Sequence, residues 1–216
     1  MHPYVVVYFL RNFMKIKLTL LLLIVLFSCK TDPNKQIDEG KITGNKYHSK
    51  EIGWTMEIPK GWNFTSKDIM EERNKKGMDA INETAGVEYT ANELKQLLNF
   101  QKDNFNIFQS TSEPFALGYS KQWEENNAGL KKLIYKTFQQ NGIKADSTET
   151  KNIEIDGLVF QSYKFIVYNS KGEVILNQIL YSRLINGLDF GVSINYNNES
   201  DKKEMLDAWF NSKFKK

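Results

Sequence analysis

IDGLVFQSYKFIVYNSKGEVILNQILYSRLINGLDFGVSINY, residues 155–196, is rich in β-branched and aromatic residues and is punctuated by Asp156-Gly157, Lys171-Gly172 and Asn186-Gly187. Asn-Gly and Asp-Gly tolerate the positive φ values of a tight hairpin turn, and between such runs they are a strong local signal for one. The turns predict strands over 146–155, 158–169, 173–185 and 188–195, joined as an antiparallel meander. Alternation along the second strand is broken: Phe160 falls in register with Ser162 and Lys164, but Tyr163 with Phe165 and Val167. A sheet covered on its two faces at different points accounts for that pattern.

Helical periodicity frames the meander. Trp123, Leu130, Leu133, Ile134 and Phe138 recur at spacings of three, four and seven, behind Ser120 as N-cap and before Asn141-Gly142 as a stop, which predicts a helix over 121–140. A second helix closes the chain after Ser200 or Asp201 as cap, with Met205, Leu206, Trp209 and Phe210 on its inner side. A third is predicted over 67–83, and 97–102 with 106–112 reads as a further hairpin.

Ahead of these, Gly53-Trp54-Thr55-Met56-Glu57-Ile58 alternates before the turn Pro59-Lys60-Gly61-Trp62. This opening strand and turn, the central helix, the meander and the terminal helix after Ile194-Asn195-Tyr196 resemble the PsbP-like group, over about Tyr47 to Phe214. The resemblance implies an α+β domain, an α/β/α sandwich around a mainly antiparallel sheet. It implies no particular activity, because the fold serves mostly as a non-catalytic accessory or adaptor.

The N-terminal segment tells a separate story. Cys29 is the only cysteine, and it follows an apolar run from Leu18 to Phe27 that is itself preceded by Met14-Lys15-Ile16-Lys17. Residues 1–28 read as a signal peptide, with translation starting at Met14 as the simplest account. A membrane span and an ordinary secretory signal are the alternatives. The run of about ten residues falls short of the roughly 20 needed to cross a hydrocarbon core, and Arg11, Lys15 and Lys17 interrupt any longer path. The segment resembles the lipoprotein signal family through Leu26-Phe27-Ser28-Cys29. That resemblance implies cleavage between Ser28 and Cys29 and acylation, with chains such as palmitate, on the thiol and the new amino group. Lys30 in the next position implies, by the same resemblance, the outer membrane of a Gram-negative bacterium. Residues 29–45 are polar and turn-rich and read as a lipidated N-terminus and flexible linker, leaving a single PsbP-like domain over 46–216. A linker of about 16 residues would span roughly 20–25 Å.

The precursor carries 29 basic and 26 acidic residues, but Arg11, Lys15 and Lys17 precede the cut, so the mature part is balanced. A neutral domain has no long-range pull toward phosphate backbones, which argues against a nucleic-acid partner. The clusters Arg73 to Lys76 and Lys131-Lys132 read as solvated helix faces.

Catalytic chemistry finds few residues. Past the cut the only histidine is His48, read as a surface side chain, and the only thiol is assigned to lipid. This leaves no Ser-His-Asp, Cys-His or multi-histidine metal set, and no metal or other cofactor is expected. Glu71-Glu72, Glu124-Glu125 and Asp201 with Glu204 pair carboxylates on helices that need a polar face. Gly129, Gly142 and Gly157 are isolated, so no phosphate-binding glycine loop is present. Among the aromatics, Trp54, Trp123 and Trp209 are expected in the core, and Trp62 either caps it or lines a groove; Trp62 and Trp54 are the candidate groove residues. The expectation is a non-enzymatic envelope lipoprotein, held to the membrane through Cys29, whose domain binds another protein or stabilises an assembly. The alternative is a small-molecule carrier or sensor.

Overall fold

The computed structural model describes residues 32–86, 88 and 93–215, so Ser28, Cys29 and the signal segment lie outside the described residues. A 3-10 turn (Pro33–Gln36) leads into β1 (Lys41–Thr43), β2 (Lys46–His48), β3 (Trp54–Glu57), β4 (Asn63–Phe64) and helix α1 (Lys67–Ala85). Then come β5 (Lys95–Gln101), β6 (Ile107–Pro114), helix α2 (Gln122–Gln140), β7 (Ala145–Ser147) and β8 (Lys151–Ile155). The chain ends with β9 (Leu158–Tyr168), β10 (Val174–Ile185), β11 (Leu188–Tyr196), helix α3 (Glu199–Phe210) and β12 (Lys213–Phe214).

The meander forms as its turns require. Asp156 and Gly157 sit at φ 50° and 79°, Asn186 and Gly187 at 53° and 75°, the double positive φ of the hairpin turn that matches strand twist. β11 continues into β6, β5 and β4, giving a sheet ordered β4-β5-β6-β11-β10-β9-β7, with β8 also on β9. The strand expected over 146–155 is two strands on one edge. Ser147 pairs with Phe165 and Lys151 with Ser162, four steps against three, so one extra residue is accommodated as an irregularity of the bulge kind.

The two faces of this sheet differ in chemistry. On one, Phe160, Phe190, Val192, Ile194 and Phe108 are buried beneath α3 and a four-stranded sheet ordered β1-β2-β3-β12. Trp209 of α3 is the hub, with ring centroids 5.3 Å from Phe160, 5.6 Å from Tyr181 and 5.8 Å from Trp54. Burying side chains of this size supplies about 2–3 kcal/mol each. The other face, under α1 and α2, is mixed: Asn127 donates to Gln161 (2.6 Å) and Gln109 to Asn74 (3.1 Å), while Phe138 meets Phe165 edge-on. The broken alternation of β9 thus corresponds to Phe160 and Ser162 on the α3 side and Tyr163, Phe165 and Val167 on the α2 side.

Four local expectations are corrected. Residues 33–45 are not a linker: Ile42 is 5% exposed within the core, and the segment belongs to the compact unit Pro33–Lys216. The polar residues that suggested flexibility are engaged, Asn34 with the backbone of Ile42 and Asp38 with that of Gln96. Helix α2 starts from Lys121 at φ 72° with no side-chain cap, not from Ser120. Helix α3 is capped by Asn198, whose Oδ1 accepts from the Asp201 amide at 2.9 Å. Phe210 and Leu130, expected on inner faces, are 46% and 43% exposed.

Candidate functional site

On α3, Met205 and Trp209 point into the core, and Glu204, Asp207 and Ala208, one helical turn apart, share a flank beside it. That flank and the outer side of β2 and β3 border an open groove of about 570 Å³, whose lining includes Lys46, Glu57, Lys60, Glu204, Asp207 and Lys213. Its walls therefore bring lysines and carboxylates together without one dominant sign.

Glu204 ties the groove to Trp62. The indole Nε1 of Trp62 donates to Glu204 Oε2 at 2.7 Å, and Lys102 donates to Glu204 Oε1 at 3.0 Å and to Asp201 Oδ1 at 2.5 Å. The same ammonium lies 4.9 Å from the Trp62 ring centroid, a cation–π distance. The Trp62 bond, then the Lys102 bond, hold the Glu204 carboxyl below its usual range. Burial works against the charge of Asp201, but hydrogen bonds from Lys102 and Asn198 outweigh it and lower its pKa too. Lys102 is pushed up by Asp201 and then by Glu204. All three stay ionised near neutrality, which suits recognition of charge and hydrogen bonds.

The carboxyls with raised pKa values lie elsewhere. Asp189 on β11 is directly opposite Glu113 on β6, on the face covered by α2, where Trp123 Nε1 donates to Asp189 Oδ1 at 2.9 Å. Burial raises both, and Asp189 raises Glu113 further. Nearby, burial raises the Tyr163 phenol; its hydroxyl is buried with no hydrogen-bond partner in the protein. Asp189 and Glu113 are not among the residues that line the groove, so the raised and the lowered carboxyls occupy different parts of the molecule.

The candidate residues fall as follows. Trp62, 7% exposed, packs edge-on against Phe100 at 5.3 Å, so it caps the core and reaches the groove only through Glu204. Trp54 is fully buried, and its Nε1 donates to Ser212 Oγ at 3.0 Å; it cannot line a groove, because its strand presents it to the aromatic centre. Trp123 and Trp209 are buried as expected. His48 bonds Thr55 through Nδ1 and Oγ1 at 2.9 Å on the outer face of β2. Glu71, Glu72, Glu124 and Glu125 are exposed, whereas Asp201 is 9% exposed and ion-paired. Arg73, Lys75 and Lys76 are engaged with Gln101, Asp79 and Glu72, and Lys131 with the Thr148 carbonyl. Among the described residues no group of three or more His, Cys, Asp or Glu side chains could hold a metal ion. The part played by Lys102 was not visible in the sequence, since nearly a hundred residues separate it from Asp201.

No family model and no curated protein matches this sequence. Among solved structures, the solution structure of cyanobacterial PsbP (CyanoP) from Synechocystis sp. PCC 6803 is similar with a TM-score of 0.50 at 9% identity, over 82% of this chain and 98% of that one. A crystal structure from Bacteroides thetaiotaomicron VPI-5482 matches with a TM-score of 0.44 at 12% identity, over 81% of this chain and 50% of that one. The fold is PsbP-like: mixed α+β, three helices among the described residues, and antiparallel sheets.

Proposed function

We propose that this chain is a lipid-anchored protein of the bacterial envelope, held through Cys29 in the outer membrane, whose PsbP-like domain binds another protein and performs no catalysis. The observation that carries the binding role is the open groove between β3 and α3, with lysines and carboxylates on its walls and Glu204 fixed in its charged state by Trp62 and Lys102. Such a surface fits a polar, folded or extended partner with charges of both signs, where complementarity sets specificity and encounter rate more than raw affinity. The CyanoP likeness supports the fold on which the reading is built, and the lipobox residues support the anchor.

The test compares the wild-type protein with Lys60→Glu and Lys46→Glu variants recovered from their own envelope after crosslinking. A stoichiometric protein partner retained by the wild type and lost from both variants supports the reading. A partner equally retained by both removes the groove from it, and a co-purifying small molecule in place of a protein moves the assignment to a carrier.

A further inference from the structure

The first described residues are fastened to the domain at several points. Asn34 donates through Nδ2 to the Ile42 carbonyl at 3.1 Å and accepts at Oδ1 from the Ile42 amide at 2.7 Å. Gln36 Oε1 accepts from the Lys67 amide at 2.7 Å. Asp38 donates its amide to the Gln96 carbonyl and accepts from the Gln96 amide on its carboxylate, both at 2.8 Å. Only Lys30, Thr31 and Asp32 therefore stand between Cys29 and a chain that is fixed from Pro33 onward. Four Cα–Cα steps reach at most about 14 Å when fully extended, well short of the distance a free linker to residue 45 would allow.

We infer that, once acylated at Cys29, the domain does not swing from the bilayer but is held with its Pro33–Gln36 turn and the β1 edge against the lipid headgroups; this rests on the lipoprotein reading above. Two features of that edge favour a lipid surface over a protein strand. The outward backbone groups of Ile42 are already taken by the Asn34 amide, which closes the edge to further strand pairing. Lys35 is exposed beside it, and Lys41 and Thr43 are exposed on β1, which places cations next to headgroup phosphates.

The test uses the full, acylated chain in vesicles of phosphatidylethanolamine and phosphatidylglycerol. With Cys29 blocked by lipid, an introduced cysteine is the single free thiol. A fluorophore is placed at Thr43→Cys, at Lys35→Cys, or at Ser170→Cys in the β9–β10 turn, and quenched by spin-labelled headgroups. Ser170 lies at the end of the large sheet opposite Gln96, to which Asp38 is bound. Quenching several-fold stronger at positions 35 and 43 than at 170 is expected. Inserting about 12 Gly/Ser residues before Pro33, reaching roughly 20 Å, should level the three. Equal quenching without the insert overturns the inference. Failure of the chain to incorporate labelled fatty acid overturns instead the anchoring reading beneath it.

Discussion

Asp189 and Glu113 occupy the same rung of the β11–β6 ladder, two half-buried carboxyls directly opposed, with Trp123 of α2 donating to Asp189. Burial raises the pKa of each, and Asp189 adds to the rise at Glu113. A carboxyl whose folded pKa exceeds its unfolded value holds its proton more tightly when folded. Ionisation near neutrality thus works against the fold, and the penalty fades as pH falls through the folded pKa. Glu113→Gln should stabilise the protein by about 0.5–1 kcal/mol at neutral pH, the scale of a relieved like-charge cross-strand pair. The gain should shrink as pH falls through the raised pKa values of the two carboxyls, where protonation removes the repulsion. Urea unfolding of both proteins across that range measures it.

Lys102 has the opposite sign. Asp201 and Glu204 have lowered pKa values, so their contribution is present above the unfolded carboxyl range and is lost as pH falls through their folded pKa values. Lys102→Met leaves a nearly buried Asp201 without its cation. With Lys102 still partly exposed, screening should keep the loss to about 1–2 kcal/mol at pH 7. The difference from wild type should shrink steadily in acid, as guanidinium unfolding at pH 7 and pH 3 would read.

Trp209 separates packing from hydrogen bonding. Its indole N–H is buried with no partner in the protein, although its ring is the hub of the core. Trp209→Ala should lose about 3–5 kcal/mol. Trp209→Phe keeps much of the ring contact and removes the unpaired donor, so it should lose under about half as much. Thermal unfolding of the two variants gives the ratio.

Asn34→Ala removes the amide that covers the β1 edge. A loss of about 1 kcal/mol is expected from two hydrogen bonds at a partly exposed site, together with faster proteolytic cleavage between Pro33 and Asn45 while β9–β11 stay protected. Timed digestion followed by mass spectrometry of the fragments checks both regions.

The legible parts of the fold were those encoded within a few residues. Asp156-Gly157 and Asn186-Gly187 mark their hairpins because the turn's positive φ values depend on those residues themselves. Helix α3 was legible as a helix, but its cap was not. Asn197, Asn198, Ser200 and Asp201 can all cap, and the choice falls to Asn198 where Asn106, from the β5–β6 hairpin, engages Asn197 through both its amide nitrogen and oxygen. The segment 33–45 misled because its polar side chains are spent on backbone groups: Asn34 on Ile42 within the segment, Gln36 on Lys67 at the start of α1, and Asp38 on Gln96 of β5. The candidate site was half visible. The spacing of Asp201 and Glu204 put two carboxylates on one helix, but Lys102 and Trp62 reach them only through the sheet topology.

The last strand has a bearing on when the protein becomes folded. Phe214 pairs with Trp54, and its amide donates to Asp156 at 2.8 Å, so the small sheet and the aromatic centre beneath it are completed by residues at the far end of the chain. Because contacts so distant in sequence form late, the aromatic centre around Trp54 closes only once Phe214 has reached it.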